Sequence, residues 1–377
     1  MISFNNMKNI VLIDHEPFTK RRREIFYIEE LRQAGFHVEV WDISEYVFPG
    51  MRIVDSIDAA YVNKINTYND FHRCLNEVDI NHTIFIVECI KNWHTRKIYK
   101  LLSDKKCNTV KIDFYANTVL RESFQKKLKR LFSSAFARII KGKAKSLILG
   151  CYNKWHHVRG FEHYLSSSAI VNRTGMINHP DYERFKFETH TQLLDKDYIV
   201  FCDNYFPYHP DFKYFFNYKE MPDGKKYQAA LNRFFDYLEN KYQMPVVIAA
   251  HPKSDYTGEE FGNRQIIKYQ TDNLIIHSSL VLLHSSNSIS YAVLADKPIA
   301  FITTDGYNSV TVFKERMNLL TNLLGKRIFN LDCDDYDLID YSNIDKNIRE
   351  KYIFTYLTSG QTEYKRNLDV LCDLLLS

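Results

Sequence analysis

The sequence contains no run approaching the roughly 18 consecutive apolar residues of a membrane-spanning helix. It also lacks a CxxC pair, a GxGxxG or Walker loop, an internal repeat and any low-complexity tract. These absences exclude a transmembrane domain, a zinc knuckle, a solenoid and the two commonest glycine-rich phosphate cradles. Seven cysteines (Cys74, Cys89, Cys107, Cys151, Cys202, Cys333 and Cys372) are odd in number and widely scattered, so a disulfide framework is excluded and reduced thiols are expected. A net charge of +4 with no RNA- or DNA-binding signature points away from nucleic acid. At the amino terminus Asn5, Asn6, Lys8 and Asp14 break any apolar segment, which leads to the expectation of a cytoplasmic protein.

What is present is an ordinary globular composition, 45% hydrophobic and 25% charged, over 377 residues. That length exceeds what one hydrophobic core serves, so two domains are expected. Short apolar runs at 9–13, 36–41, 59–62, 83–87 and 109–112 alternate with helical patterns. The pattern restarts with runs at 198–202, 245–250, 280–284, 299–303 and 327–331, and a long helix is expected over 225–242. Alternation of this kind predicts two successive parallel α/β units. Polar residues between Asn178 and Lys196 place the boundary, giving domains 1–190 and 191–377, with the last helix expected to pack back on the first domain.

The clearest local chemistry lies in the second unit. Leu280-Val-Leu-Leu-His-Ser-Ser-Asn-Ser-Ile reads as a strand, a polar loop and the start of a short helix, followed by a second strand opened by Lys297-Pro298. Ser285, Ser286 and Ser288, with Asn287 between them, offer donors to a phosphate at a helix amino terminus; the alternative is that they only cap the helix. Upstream, a buried strand ends directly in His251-Pro252. Ligands of open α/β sheets collect at the carboxyl ends of strands, so His251 and the serine loop are expected to share one crevice, where the imidazole could donate to a phosphate or protonate a leaving group. Asp203 and His209 follow the first strand of this unit and either touch the donor or pin the loop.

His-Pro after one strand and Ser-Ser after a later one resemble the motif pair of bacterial sialyltransferases and polysialyltransferases, GT-B enzymes that use CMP-activated nonulosonic acids. The Ser-Ser loop followed by Lys-Pro is also similar to CDP-glycerol glycerophosphotransferases. UDP-sugar enzymes of this fold commonly carry a ribose-binding Glu in the helix, where this sequence has Tyr291 and no acid before Asp296. The resemblance implies an α/β GT-B fold with two Rossmann-like domains facing a central cleft. It further implies inverting, metal-independent transfer of a sialic acid-like or keto-deoxy sugar from a CMP donor to a glycan or lipid-linked glycan, in capsule or lipopolysaccharide assembly. No cofactor is expected besides the donor. The alternatives are a CDP-glycerol-type phosphotransferase, a UDP-sugar transferase, or an inactive glycan-binding scaffold of the same fold.

In those families a catalytic carboxylate, often in an acidic pair before glycine, follows a strand of the amino-terminal domain. This sequence departs from the pattern: the corresponding strand ends in a single acid, Asp113, expected either to face the cleft as the base or to serve as a helix cap or salt-bridge partner, with Glu88, Asp14 and Glu16 as competing bases. Asp332 and Asp334 form a literal Asp-x-Asp, read as a solvated acidic loop rather than a metal site. Leu128, Leu131, Phe132, Ala135, Phe136, Ile139 and Ile140 make an apolar stripe at helical spacing. Eight cations, among them Lys126, Lys127, Lys129 and Arg130, lie between Lys126 and Lys145 without one acid. A basic amphipathic helix of this kind either packs on the sheet or makes peripheral contact with the inner face of the cytoplasmic membrane.

Overall fold

The computed structural model describes residues 9–53, 55–114, 136–170, 175–210, 212 and 220–376, with the backbone alone for 136–143. The amino-terminal sheet contains β1 (Asn9–Asp14), β2 (His37–Asp42), β3 (Val62–Lys64), β4 (Thr83–Glu88), β5 (Asn108–Asp113), β6 (His163–Ser166) and β7 (Gly175–Met176). Its order is β3-β2-β1-β4-β5-β6-β7, and every pairing is parallel. Successive side chains of a strand point to opposite faces. Accordingly Ile10 and Leu12 enter one hydrophobic cluster, while Val11 and Ile13 enter another with Trp41 and Phe85. A sheet covered on both faces has nearly continuous apolar strands, which explains why β1 and β4 stand out in the sequence.

The carboxy-terminal domain contains β8 (Ile199–Cys202), β9 (Val246–Ala250), β10 (Glu260–Asn263), β11 (Ile266–Lys268), β12 (Leu280–Leu283), β13 (Ile299–Thr303) and β14 (Ile328–Asn330). Six of these form a parallel sheet in the order β11-β9-β8-β12-β13-β14. Residues of β8, β9, β12 and β13 are buried throughout. The helix Gly224–Tyr242 is started by Asp223, whose carboxylate accepts from the Lys225 and Lys226 amides, and it buries Leu231, Phe234, Phe235 and Leu238 against the sheet.

Four strands were not expected: β6, β7, β10 and β11. They are two to four residues long and include His163, Ser166, Gly175 and Glu260, too short and too polar for a period-two signal. The expected strand at 59–62 is displaced to β3, a partly exposed edge.

The segment between the domains contains one helix. His179 caps Pro180–Phe187 through Nδ1, which accepts from the Asp181 amide, and Tyr182 joins the carboxy-terminal core. The chain later returns, and the helix Asn367–Leu376 buries Leu371 and Leu375 in the amino-terminal core beside Ile10 and Val38.

Candidate functional site

Each sheet has one place where strand order reverses, between β1 and β4 in the first and between β8 and β12 in the second. Loops leave such a point in opposite directions and open a crevice beyond the strand ends. A cleft of about 490 Å3 lies between the domains. Asp203 after β8, His251 and Pro252 after β9, and Ser285, Ser286, Asn287 and Ser288 after β12 all line it. The strand ends that carry them belong to three neighbouring strands, so residues more than 80 positions apart converge. The amino-terminal domain contributes Lys20, Arg21 and Glu24 to the lining.

His251 is held in one tautomer. Its Nδ1 accepts from the Lys253 amide at 3.0 Å, so the hydrogen resides on Nε2, which lies 3.3 Å from Nε2 of His209. Burial lowers its pKa well below the ordinary value, helped by His209, Lys253 and Arg21, and the ring is neutral at pH 7. The neutral His251 ring thus donates Nε2–H to His209 Nε2, and both rings line the cleft.

Asp203 is buried beneath this ring. It accepts from the Tyr256 hydroxyl (2.8 Å), the Tyr205 amide (2.9 Å) and the His251 amide (3.3 Å). Burial pushes its pKa up to about 6 against the lowering pull of those donors.

The serine loop divides its duties. Ser285 was expected as a phosphate donor, but its hydroxyl is buried at 2.8 Å from the Tyr307 hydroxyl, because Tyr307 fills the space beneath β12. The Ser286 hydroxyl accepts from the Ser288 amide at 3.3 Å. The Ser288 hydroxyl has no protein partner among the described residues and is half-buried. The following helix, Ile289–Leu294, has six residues, too few for much of a dipole.

The residue missed in the sequence is Arg316. It sits on the helix Thr311–Leu324 three residues after Phe313, on the face that buries Phe313, Met317 and Leu320. Its guanidinium donates to Asn287 Oδ1 at 2.7 Å and meets no carboxylate among the described residues. Burial lowers its pKa. A lone arginine on the apolar face of a helix was the available signal. Arg21, exposed on the opposite wall, also has no ion-pair partner among the described residues.

The four candidate bases separate clearly. Asp14 is fully buried and bound by Arg22 Nε at 2.6 Å; burial would raise its pKa, but Arg22 holds it below the ordinary range. Glu88 accepts from Lys111 Nζ at 2.9 Å, and burial raises its pKa despite that partner. Asp113 was expected to face the cleft. It does not line it, because Lys111 draws its buried carboxylate to 3.4 Å within the amino-terminal domain. Glu16 is likewise not part of the lining, but it reaches across the domains to Lys253 Nζ at 3.2 Å, two residues from His251.

Asp332 accepts from the Asp305 amide at the start of the helix Asp305–Ser309, and Asp334 accepts from the Asn330 amide within its own turn. Lys126, Lys127, Lys129 and Arg130, with most of the expected apolar stripe, lie outside the described residues.

No protein-family profile and no curated protein matches the sequence. Solved structures do resemble the fold. The glycosyltransferase SnogD from Streptomyces nogalater aligns at TM-score 0.52 with 10% identity, over 98% of this chain and 99% of its own. CalG4, the calicheamicin glycosyltransferase, aligns at 0.50 with 11% identity, over 98% of both chains. UGT2 of Phytolacca americana, solved with UDP-2-fluoro-glucose and pterostilbene, gives 0.50 and 11% over 98% of this chain and all of its own. The chain has the two-domain α/β fold of GT-B glycosyltransferases.

Proposed function

We propose that the chain is an inverting glycosyltransferase that takes a sialic acid-like or keto-deoxy sugar from a CMP-linked donor and passes it to a glycan or lipid-linked glycan, working in bacterial surface polysaccharide assembly at the inner face of the membrane. One observation carries this reading: Arg316, which has no carboxylate partner among the described residues, the neutral His251 ring and the accessible Ser288 hydroxyl converge at the strand reversal of the carboxy-terminal domain. A partly buried cation without a carboxylate is costly unless an anion completes it. A nucleotide phosphate supplies that anion, with His251 Nε2–H, exchanging His209 for the phosphate, and Ser288 as neutral donors beside it. Charge on the departing phosphate is then met by Arg316, and the reading requires no metal. Arg21, across the cleft, faces the donor's carboxylate. Glu16 is the proposed base, since among the candidate carboxylates it alone reaches His251's side of the cleft.

A diphosphate donor, CDP-glycerol or a UDP-sugar, is the second reading, favoured by the same Arg21, which would then meet the second phosphate. Calorimetric titration with CMP, CDP, UDP and GDP separates the two. CMP is expected to bind at least as tightly as CDP. Arg316→Gln should weaken CMP by roughly tenfold to a hundredfold, the loss of one charge-assisted hydrogen bond. His251→Ala should reduce transfer by about a hundredfold or more. Preference for CDP or UDP moves the assignment to the diphosphate class, and no response to any nucleotide leaves a scaffold.

A further inference from the structure

The helix Phe136–Trp155 carries an apolar stripe that the described residues leave exposed. Ala144, Leu147, Ile148, Cys151 and Trp155 recur at i, i+3, i+4, i+7 and i+11, one face of an α-helix. On a helix that packs against its sheet this face would be buried. Here Leu147 is 70%, Ile148 54% and Trp155 82% exposed. Trp93, 47% exposed, meets Tyr152 of this helix edge-on at 5.7 Å, and the Arg96 guanidinium lies 3.9 Å from the Trp93 ring centre. The same helix holds Arg138, Lys141, Lys143, Lys145 and Lys154 and no carboxylate. Among the described residues no helix is long and apolar enough to cross a membrane.

We propose that this surface docks on an anionic phospholipid bilayer, with the helix lying in the interface. Leu147, Ile148, Trp155 and Trp93 enter the boundary between headgroups and acyl chains, where tryptophan is at home, and the exposed Lys145 and Lys154 rest among lipid phosphates. Charge selects this occupant. A second copy of the chain would bring the same acid-free, cationic sequence against Lys145 and Lys154, and an uncharged apolar partner would leave these cations unmatched. The inference deepens the reading of a lipid-linked acceptor, but its test does not depend on the sugar chemistry.

The test is co-sedimentation with vesicles of phosphatidylcholine, alone or mixed equally with phosphatidylglycerol. The wild type should pellet with the mixed vesicles and not with phosphatidylcholine alone. The double variant Leu147→Glu with Trp155→Glu should bind at least about tenfold more weakly, since two large apolar side chains no longer leave water. Both sites are exposed, so the fold is kept, and CMP titration of the same variant reports on the cleft separately. A polarity-sensitive fluorophore on Cys151, in a Cys333→Ser background, should shift to the blue on the mixed vesicles. Failure of the wild type to bind, or equal binding by the double variant, overturns the proposal. So does a concentration-dependent dimer that Leu147→Glu dissociates, which would give the surface to a second copy. Absence of CMP binding with vesicle binding intact would sink only the glycosyltransferase reading.

Discussion

Asp203 shows how one buried carboxyl ties the cleft to pH. Its folded-state pKa is raised to about 6, above the roughly 3.9 of an unfolded aspartate. A carboxyl raised in this way adds stability that is fully present below the unfolded value and is lost as pH climbs through the folded one. Two units correspond to about 3 kcal/mol. Urea unfolding should therefore show the wild type losing up to about 3 kcal/mol relative to Asp203→Asn between about pH 4 and pH 7, because the asparagine has no proton to give up. A stability difference that stays flat over that range would mean that Asp203 ionises at its ordinary value. Single residues were also where the sequence was least transparent. The donors of the Ser-Ser loop look alike on paper, yet Tyr307 reserves Ser285, and only three-dimensional packing distinguishes it from Ser288.

At the level of elements, strand ends were legible and strand partners were not. Apolar runs of four to six residues located β1, β4, β8, β9, β12 and β13, since burial on both faces writes itself into composition. The join between domains is written in polar residues nearly two hundred positions apart. Asn178 Nδ2 donates to the carbonyls of Thr362 (2.9 Å) and Lys365 (2.8 Å), and its Oδ1 accepts from the Thr358 hydroxyl at 2.6 Å. Asn367 exchanges two further bonds with the Asn178 backbone at 2.8 and 2.9 Å. No periodicity could announce such pairs. Asn178→Ala strands these buried groups, each worth about 1–3 kcal/mol when unsatisfied, and should cost at least about 2 kcal/mol in chemical denaturation. A loss below about 0.5 kcal/mol would mean that water replaces the amide without penalty.

For the molecule as a whole, both domains line one cleft, and the Glu16–Lys253 pair joins them. Catalysis by a base on one domain acting on a donor held by the other predicts a division between two carboxylates. Glu16→Gln should lower turnover by about a hundredfold or more while changing CMP affinity only severalfold. Asp113→Asn should leave turnover near wild type and cost stability instead, because Lys111 loses one of its two buried partners. Steady-state kinetics with parallel unfolding curves would decide, and the reverse pattern would return the base to Asp113.

The chain passes between the domains twice, once through residues 177–198 and again through 358–366, and Asn178 and Asn367 lace the two passages side by side. Two adjacent straps behave like the paired leaves of a door hinge: they permit a swing about the line joining them and resist a swivel. Opening and shutting then follows a single arc, which returns Glu16 to Lys253 at each closure. A single proteolytic cut in either strap would leave the halves joined through the other, so a nicked molecule should still elute as one particle.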